Sequence, residues 1–425
     1  MSFNRRSTGE DSGPDLISDL PDSIIEIILT KLPIRDAVKT SILSTKWRYK
    51  WATIIELKID EKCFPHWLHD ERKLVKFITR LLLLHQGPIH KFQIANLYLD
   101  CYPEIDQWLL VLSRNDIKEL VLQLALEPAI EWYQIPSCLF NCKKLTHLEL
   151  NYCCLNPPLN FKGFKCLKSL ILSEVYISAK AIEILVSSCP LLESLSLIEI
   201  DFLVLRIRAP NLKCLYLRSE LCDICLEDTP LLIEASIDMN GEIYNFENDV
   251  KMLSFNFIES LNRLPTLESL IGHSCFTKYL SLGNFARTRP TTYNLKIIEL
   301  GDVSFVDLEE IRVVLRLITN SPNLEQLYIS RIFMETDVDA PDFDLKKECT
   351  SECTLKHLEI VELEFINGIW NEIQFIKFLL GNSPVLKSMT IMNSLNGADK
   401  RKMFIELKKV RWASARAAIN IIHLC

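Results

Sequence analysis

The sequence predicts an α/β chain: a three-helix module at the N-terminus, then a long irregular solenoid of strand-bearing repeats, closed by a distinct C-terminal cap. Three observations predict it. A helix-spaced apolar run between two prolines stands near the start. An apolar-x-x-apolar-x-apolar triplet recurs through most of the remaining chain. From about Leu345 that pattern gives way to strand, amphipathic helix, strand and a last helix.

At 425 residues the chain exceeds what one hydrophobic core usually organises. Its 48% hydrophobic and 24% charged residues are those of a folded chain. Only 11 glycines disfavour folds built on phosphate-cradling loops. A net charge of −7 argues against broad nucleic-acid binding, and the basic clusters Lys400-Arg401-Lys402 and Lys408-Lys409 with Arg411 read as solvated faces. The 15 cysteines are odd in number and scattered, and the first residues lack the apolar core of a signal peptide. The thiols are therefore expected to be reduced and mostly to act as small buried hydrophobes. No apolar stretch reaches the roughly 18 residues of a membrane span. The expected location is cytoplasmic, nuclear or both.

Residues 1–14 are rich in Ser, Gly and Asp and read as a flexible tail. Residues 15–60 make the first module. Pro21 fits the first turn of a helix, where its missing N–H is not needed, and Asp22 complements the positive helix end. Ile24, Ile28 and Leu32 recur every four residues with Ile25 and Leu29 beside them, giving one apolar face that stops before Pro33. The spacing predicts a second helix over 34–42 and a third, capped by Ser44, carrying Trp47 and Trp51. So small a module has a marginal core, and a partner covering one face is expected.

The order Leu20-Pro21, Ile28, Leu32-Pro33, Ala37, Ser41-Ile42-Leu43-Ser44, Trp47-Arg48 and Trp51 resembles the F-box motif. The resemblance implies docking onto a Skp-type adaptor, which links to a cullin and a ubiquitin-conjugating enzyme. It makes Leu20, Pro21, Ile24, Ile28, Leu32, Leu43 and Trp47 the contact or core residues. The sequence does not separate those two roles, and it assigns none to Arg48.

Residues 61–344 carry the triplet, as in Ile94/Leu97/Leu99, Leu148/Leu150 after Leu145, Leu195/Leu197 after Leu192, and Leu327/Ile329 after Leu324. Central positions 97, 120, 148, 170, 195, 215 and 235 are 20 to 28 residues apart, and 298, 327, 358 and 389 are 29 to 31 apart. Those steps bracket the period of roughly 20–29 residues of leucine-rich repeats. A charged residue often follows the first apolar one (Lys168, Glu193, Lys213, Lys296, Glu325, Lys356, Lys387), and a proline often precedes it. The last two apolar residues are two apart and so share one face of a short strand. Stacked units then make a continuous core with a parallel sheet along it, an irregular leucine-rich-repeat solenoid or horseshoe. Segments such as 179–187 and 306–318 would cover the other side, and residues 240–290 do not fit the template.

Residues alternating with the inward ones should face out on the concave side. They include His147, Glu149, Ser196, Tyr216, Arg218, Glu234, Asp238, Gln326 and Tyr328. Aromatic groups mixed with both signs of charge suit a protein or peptide better than a polyphosphate. The other reading, a solvated strand face with binding by loops, stays open.

In 345–425, the run Phe375-Ile-Lys-Phe-Leu-Leu-Gly-Asn-Ser-Pro384-Val-Leu-Lys-Ser-Met-Thr-Ile391 resembles the FBD domain that ends many plant F-box proteins. The whole chain thus resembles the F-box/FBD/leucine-rich-repeat family, with the FBD region as a cap on the solenoid. No catalytic constellation emerges. Cys222-x-x-Cys225 has no second pair at ligand spacing, Cys153-Cys154 and Cys349 with Cys353 fare no better, and neither a metalloprotease helix nor a phosphate loop is present. No metal or cofactor is implied. The resemblance points to a non-enzymatic substrate-recognition subunit of an SCF-type ubiquitin ligase, its partners a Skp-type adaptor, a cullin and an unknown substrate protein. Nucleic acid and membrane are not expected partners. The alternative is a binding module that acts outside ubiquitination or competes for the adaptor.

Overall fold

The computed structural model describes residues 17, 19–60, 63, 71–97, 103–124, 132–202, 204–220, 223–240, 255–287, 292–332, 354–393 and 397–423. The chain divides into two compact units, 1–154 and 155–425.

The first unit begins with α1 (Asp22–Lys31) and α2 (Ile34–Lys39). Pro21 and Pro33 sit at their N-caps in extended geometry, so each proline ends one segment and starts the next helix. Beyond α2 the chain tightens into 3₁₀ turns, Thr40–Ile42 and Lys50–Thr53. The expected third helix does not form. Trp47, Lys50, Ala52 and Ile54 each donate a backbone bond to the residue three before, and this winding leaves both Trp47 and Trp51 buried. Ser44 caps nothing, for its hydroxyl has no hydrogen-bond partner.

Next come β1 (Glu56–Ile59), α3 (Glu71–Leu84), β2 (Lys91–Leu97), α4 (Pro103–Arg114), β3 (Glu119–Leu124), β4 (Tyr133–Gln134) and β5 (His147–Cys154). All pairings are parallel, β1 to β2 to β3 to β5, with β4 on the far end of β5. Leu57 pairs with Phe92, Phe92 with Leu120 and Leu120 with Leu148, all fully buried. The expected triplet Ile94/Leu97/Leu99 is therefore displaced. Ile89, Phe92 and Ile94 fill the slots, because an aromatic ring takes the place of the central leucine.

The second unit contains β6 (Ser169–Tyr176), α5 (Ala179–Ser187), β7 (Ser194–Ile198), β8 (Val204–Arg208), β9 (Cys214–Ser219), β10 (Asp223–Asp228) and β11 (Glu234–Met239). It continues with α6 (Asn256–Leu261), β12 (Ser269–Ser274), α7 (Phe276–Leu282), β13 (Ile297–Val303), α8 (Leu308–Thr319) and β14 (Gln326–Arg331). It ends with β15 (Ile360–Glu364), α9 (Trp370–Asn382), β16 (Ser388–Asn393), α10 (Gly397–Lys408) and β17 (Ala418–His423). Its parallel sheet runs β6-β7-β9-β11-β12-β13-β14-β15-β16-β17, and β8 pairs with β10 in a second, two-stranded sheet. The steps from Leu195 to Leu215 to Ala235 are too short for a helix on the return path, so β8 and β10 stand there instead. Where the step lengthens, helices such as α8 return.

Two registers depart from expectation. Val361, fully buried, pairs with Leu327 and Met389, which makes the triplet Leu358/Val361/Leu363 and displaces Leu355/Leu358/Ile360 by three residues. Both triplets fit the sequence pattern; pairing to two core residues decides between them. Within 240–290, β12 supplies a further repeat, Leu267/Leu270/Gly272, paired to β11 and β13. Each such pair of fully buried leucines contributes about 3–6 kcal/mol of transfer free energy against the entropy of ordering the turn.

The charged residues after the first apolar position also find a structural place. Backbone bonds link Lys168, Glu193, Lys213, Ile233, Glu268, Lys296, Glu325, Glu359 and Lys387 from one strand entrance to the next. Side chains add ion pairs Lys168–Glu193 (3.2 Å), Glu193–Lys213 (2.8 Å), Glu268–Lys296 (2.9 Å) and Glu359–Lys387 (2.5 Å). Exposed pairs of this kind add little each, and the alternation breaks where Glu325 meets Glu359.

Candidate functional site

Around α1 and α2 the apolar residues divide into two sets. Ile25, Leu29, Ile34 and Ala37 are buried within the unit. Ile24 (41% exposed), Ile27, Ile42 (87%), Leu43 (48%) and Tyr49 face solvent, while Leu20, Ile28 and Leu32 are half-buried and Pro21 is exposed. Trp47 is 2% exposed, and its indole N–H donates to the Ile17 carbonyl at 3.1 Å, a core placement. Asp22 pairs with Lys50 at 2.8 Å, and the hydrogen bond from that ammonium holds the Asp22 carboxyl below its ordinary range. Arg48 is exposed. Beside this face, a cleft of 510 Å³ opens between the end of α1, the start of α2 and β1, lined by Leu32, Pro33, Ile55, Lys58, Asp60 and Cys63 among others.

The outward positions of the strands make a second surface in each unit. In the first, Gln123 donates to Glu149 at 2.6 Å and His147 Nε2 lies 3.7 Å from Glu149. The neighbouring His147 imidazole, and then the Gln123 amide, pull the Glu149 pKa down. In the second, one line of outward residues runs across the register: Ser196, Tyr216, Ser236, Ile271, Glu299, Tyr328, Glu362 and Thr390. A parallel line holds Arg218 and Asp238, and Glu234 and Gln326 stand one residue before the central position. Arg218 lies between two carboxylates, 3.0 Å from Glu199 and 3.5 Å from Asp238. Asp238 also accepts from Ser274 at 2.7 Å. His273 lies 3.3 Å from Glu299. Tyr328 donates to Gln326 at 2.9 Å, and burial, then the charges of Glu362 and Glu299, push its phenol up.

Sequence reasoning missed several of these acids. Glu362 and Glu364 were hidden by the three-residue register shift. Glu174, Glu199, Ser274, Asp302 and Phe365 occupy the fourth position after the central residue, where the backbone takes a left-handed conformation with φ of 50 to 59°. That turn costs a non-glycine residue on the order of 1 kcal/mol. Where the turn is absent, the same position is buried, as at Ser219, Met239, Arg331 and Asn393. No composition rule marks these positions, since neither Gly nor Asn dominates them.

Of the cysteines, Cys153 and Cys154 are buried and Cys225 half-buried on β10. Cys222, Cys349, Cys353, the 1–14 tail and the acidic run from Glu335 to Asp344 lie outside the described residues. Among the described residues no group of three or more His, Cys, Asp or Glu side chains is arranged to hold a metal ion, and no helix is long and apolar enough to cross a membrane.

Comparison with known proteins accords with this arrangement. The F-box domain family matches residues 17–56, the family described as "FBD-associated F-box protein At5g56370, LRR repeats" matches 105–329, and FBD matches 346–391. The FBD match thus spans β15, α9 and most of β16, and the two strands pair in register with those before them. The chain is 49% identical over 419 residues to the F-box/FBD/LRR-repeat protein At1g13570 of Arabidopsis thaliana, covering 96% of this chain and 99% of that protein. It is 27% identical over 459 residues to the FBD-associated F-box protein At1g66310, covering 98% of each. It is 27% identical over 400 residues to the F-box/FBD/LRR-repeat protein At5g56420, covering 89% and 91%. Both are also from Arabidopsis thaliana.

Proposed function

The chain belongs to the F-box/FBD/LRR-repeat family, and from that premise we propose that it is a substrate-recognition subunit of an SCF-type ubiquitin ligase. One observation carries the reading: the F-box segment turns Ile24, Ile27, Ile42 and Leu43 to solvent while Ile25, Leu29 and Trp47 complete its core. An apolar surface of that kind on a small module is what a partner interface requires. The Skp-type adaptor is the proposed occupant, with Leu20, Pro21, Ile24, Ile28, Leu32 and Leu43 at or near the contact. Trp47 supports the surface from beneath.

The proposed domains are 15–60 for the F-box, 61–344 for the repeats and 345–425 for the FBD region. The proposed work is placement of a substrate, without chemistry of its own, in the cytoplasm or nucleus. The substrate is read by the outward strand residues, where Tyr328 stands between Glu299 and Glu362 in register. That arrangement favours a protein segment carrying Lys or Arg, which ring face and carboxylates both attract.

The test is affinity purification of tagged chain, intact and with Ile24→Asp and Leu43→Asp, followed by mass spectrometry. Recovery of a Skp-type adaptor and a cullin with the intact chain only is the expected result. Adaptor without cullin would point to a competitor outside ubiquitination. Neither partner with the intact, folded chain would overturn the assignment.

A further inference from the structure

We propose that the outer face of α10 is a docking site for an acidic protein segment that carries an apolar side chain. α10 turns Met403 and Leu407 inward, both buried, and α9 meets it through Lys377 and Glu406 at 2.9 Å. On the opposite side Ile405 is 59% exposed. Helical geometry surrounds any residue with those three and four positions away. For Ile405 these are Arg401, Lys402, Lys408 and Lys409, all basic and all exposed.

The local charge balance is strongly positive. Between positions 397 and 411 six basic residues stand against two acids, Asp399 and Glu406, and Lys377 and Lys409 already engage Glu406. The Lys408 ammonium sits 4.6 Å above the Phe404 ring, so Phe404 helps hold a charge at the rim of the patch. Arg411 extends the same charge just past the helix.

An exposed isoleucine inside a collar of like charges is unfavourable on both counts. The apolar group stays in water, and positive charge is concentrated around it. A partner that brings carboxylates and a hydrophobic contact relieves both. Nucleic acid would use the charges and leave Ile405 idle. An anionic bilayer needs an apolar stripe along the helix, and here Met403 and Leu407 are spent inside the unit. Complementarity of charge with one central apolar contact is the pattern of a protein interface.

The test uses the full chain and two fluorescent probes of equal charge: a peptide of repeated Glu-Glu-Leu triplets and a glutamate homopeptide. Anisotropy titrations are run on the natural chain, Ile405→Ser, and Arg401→Glu with Lys408→Glu. Circular dichroism checks that these exposed substitutions leave the fold intact. The expected result is binding of the leucine-bearing peptide about tenfold tighter than the homopeptide, with that margin lost in Ile405→Ser and binding of both lost in the charge-reversed chain. Equal affinity for the two peptides, binding of neither, or tighter binding to duplex DNA or to phosphatidylserine vesicles would each overturn the proposal.

Discussion

Arg331 and Glu372 form an ion pair at 3.2 Å between Nε and Oε1, with both side chains out of contact with water at 1% and 0% exposure. The pair joins the end of β14 to the first turn of α9. The other Glu372 oxygen accepts from the backbone N–H groups of Asn367, Gly368 and Ile369 at 3.0, 2.6 and 3.0 Å. Asn371 adds a bond to the Phe305 carbonyl at 2.9 Å. Glu372 therefore both caps its own helix and neutralises a buried cation of an earlier repeat. Glu372→Ala takes the acceptor from three backbone N–H groups and removes the buried carboxylate beside Arg331. The expected loss is about 3–5 kcal/mol, read as a lower denaturant midpoint. Replacing the pair together, Arg331→Met with Glu372→Gln, should cost less than Glu372→Ala alone.

The sequence shows why that pair was invisible while the repeats were not. Leucine at fixed spacing reports a local pleat, and the stacked pairings of Leu195, Leu215 and Ala235 follow from it directly. Arg331 and Glu372 are 41 positions apart and look like any two surface charges. The fourth position after each central residue was illegible for a related reason, since whether it is buried or turned out depends on a backbone angle that no residue type there announces. At the N-terminal face, the apolar pattern predicted α1 and left open which isoleucines are core. Only the packing of α2 and of the Lys50–Thr53 turn on α1 separates Ile25 from Ile24.

Gly272 occupies the third apolar slot of its repeat because another residue fills the space. A Cβ built there would stand 2.0 Å from Cδ1 of Phe276, the buried first residue of α7. The glycine hides this repeat from a leucine-based pattern, and the phenylalanine completes it. Gly272→Leu, which restores the pattern on paper, is expected to destabilise the chain by about 1–3 kcal/mol or more through overpacking. A thermal melt that rises with Gly272→Leu would contradict this account.

Glu310 is 3% exposed on α8, accepts from Thr277 Oγ at 2.8 Å and Ser304 N at 3.2 Å, and has its pKa pushed up to about 7 chiefly by burial. Asp307 nearby pushes the same way, and Lys278 opposes it. Unfolded, the carboxyl titrates near its ordinary 4.5. Between that value and 7 the folded chain keeps a proton that the unfolded chain has lost. Stability should therefore fall as pH rises through this window, by at most about 3 kcal/mol, and level off above it. Glu310→Gln keeps an acceptor and removes the titration. Unfolding curves at pH 5 and pH 8 should show the variant near the natural chain at the lower pH and more stable at the higher.

The outward acids around Tyr328 predict a loss of substrate with no loss of adaptor. Glu299 and Glu362 flank Tyr328 in register, on strands whose inward residues are fully buried. Charge reversal of both acids alters the sheet face alone. Comparing proximity-labelled proteins from cells carrying the natural chain or the Glu299→Lys, Glu362→Lys chain should show basic proteins depleted, with adaptor recovery unchanged. An unchanged protein set would move substrate recognition to the loops.

Adjacent isoleucines in α1 give the sharpest test of the division between core and contact. Ile24 is exposed, and Ile25 is fully buried beside Leu29. Placing a carboxylate at position 24 puts a charge in water and costs the isolated chain little. At position 25 it buries an unpaired charge, a cost of several kcal/mol that the acid reduces only by taking up a proton. Ile24→Asp is therefore expected to keep its circular dichroism and its melting temperature within a few degrees, and to lose purified Skp-type adaptor in a pull-down. Ile25→Asp should lose the fold of the module first and adaptor binding as a consequence. If Ile24→Asp binds adaptor as the natural chain does, the outward row of α1 is not the docking surface, and Ile42, Leu43 and Tyr49 become the residues to change next.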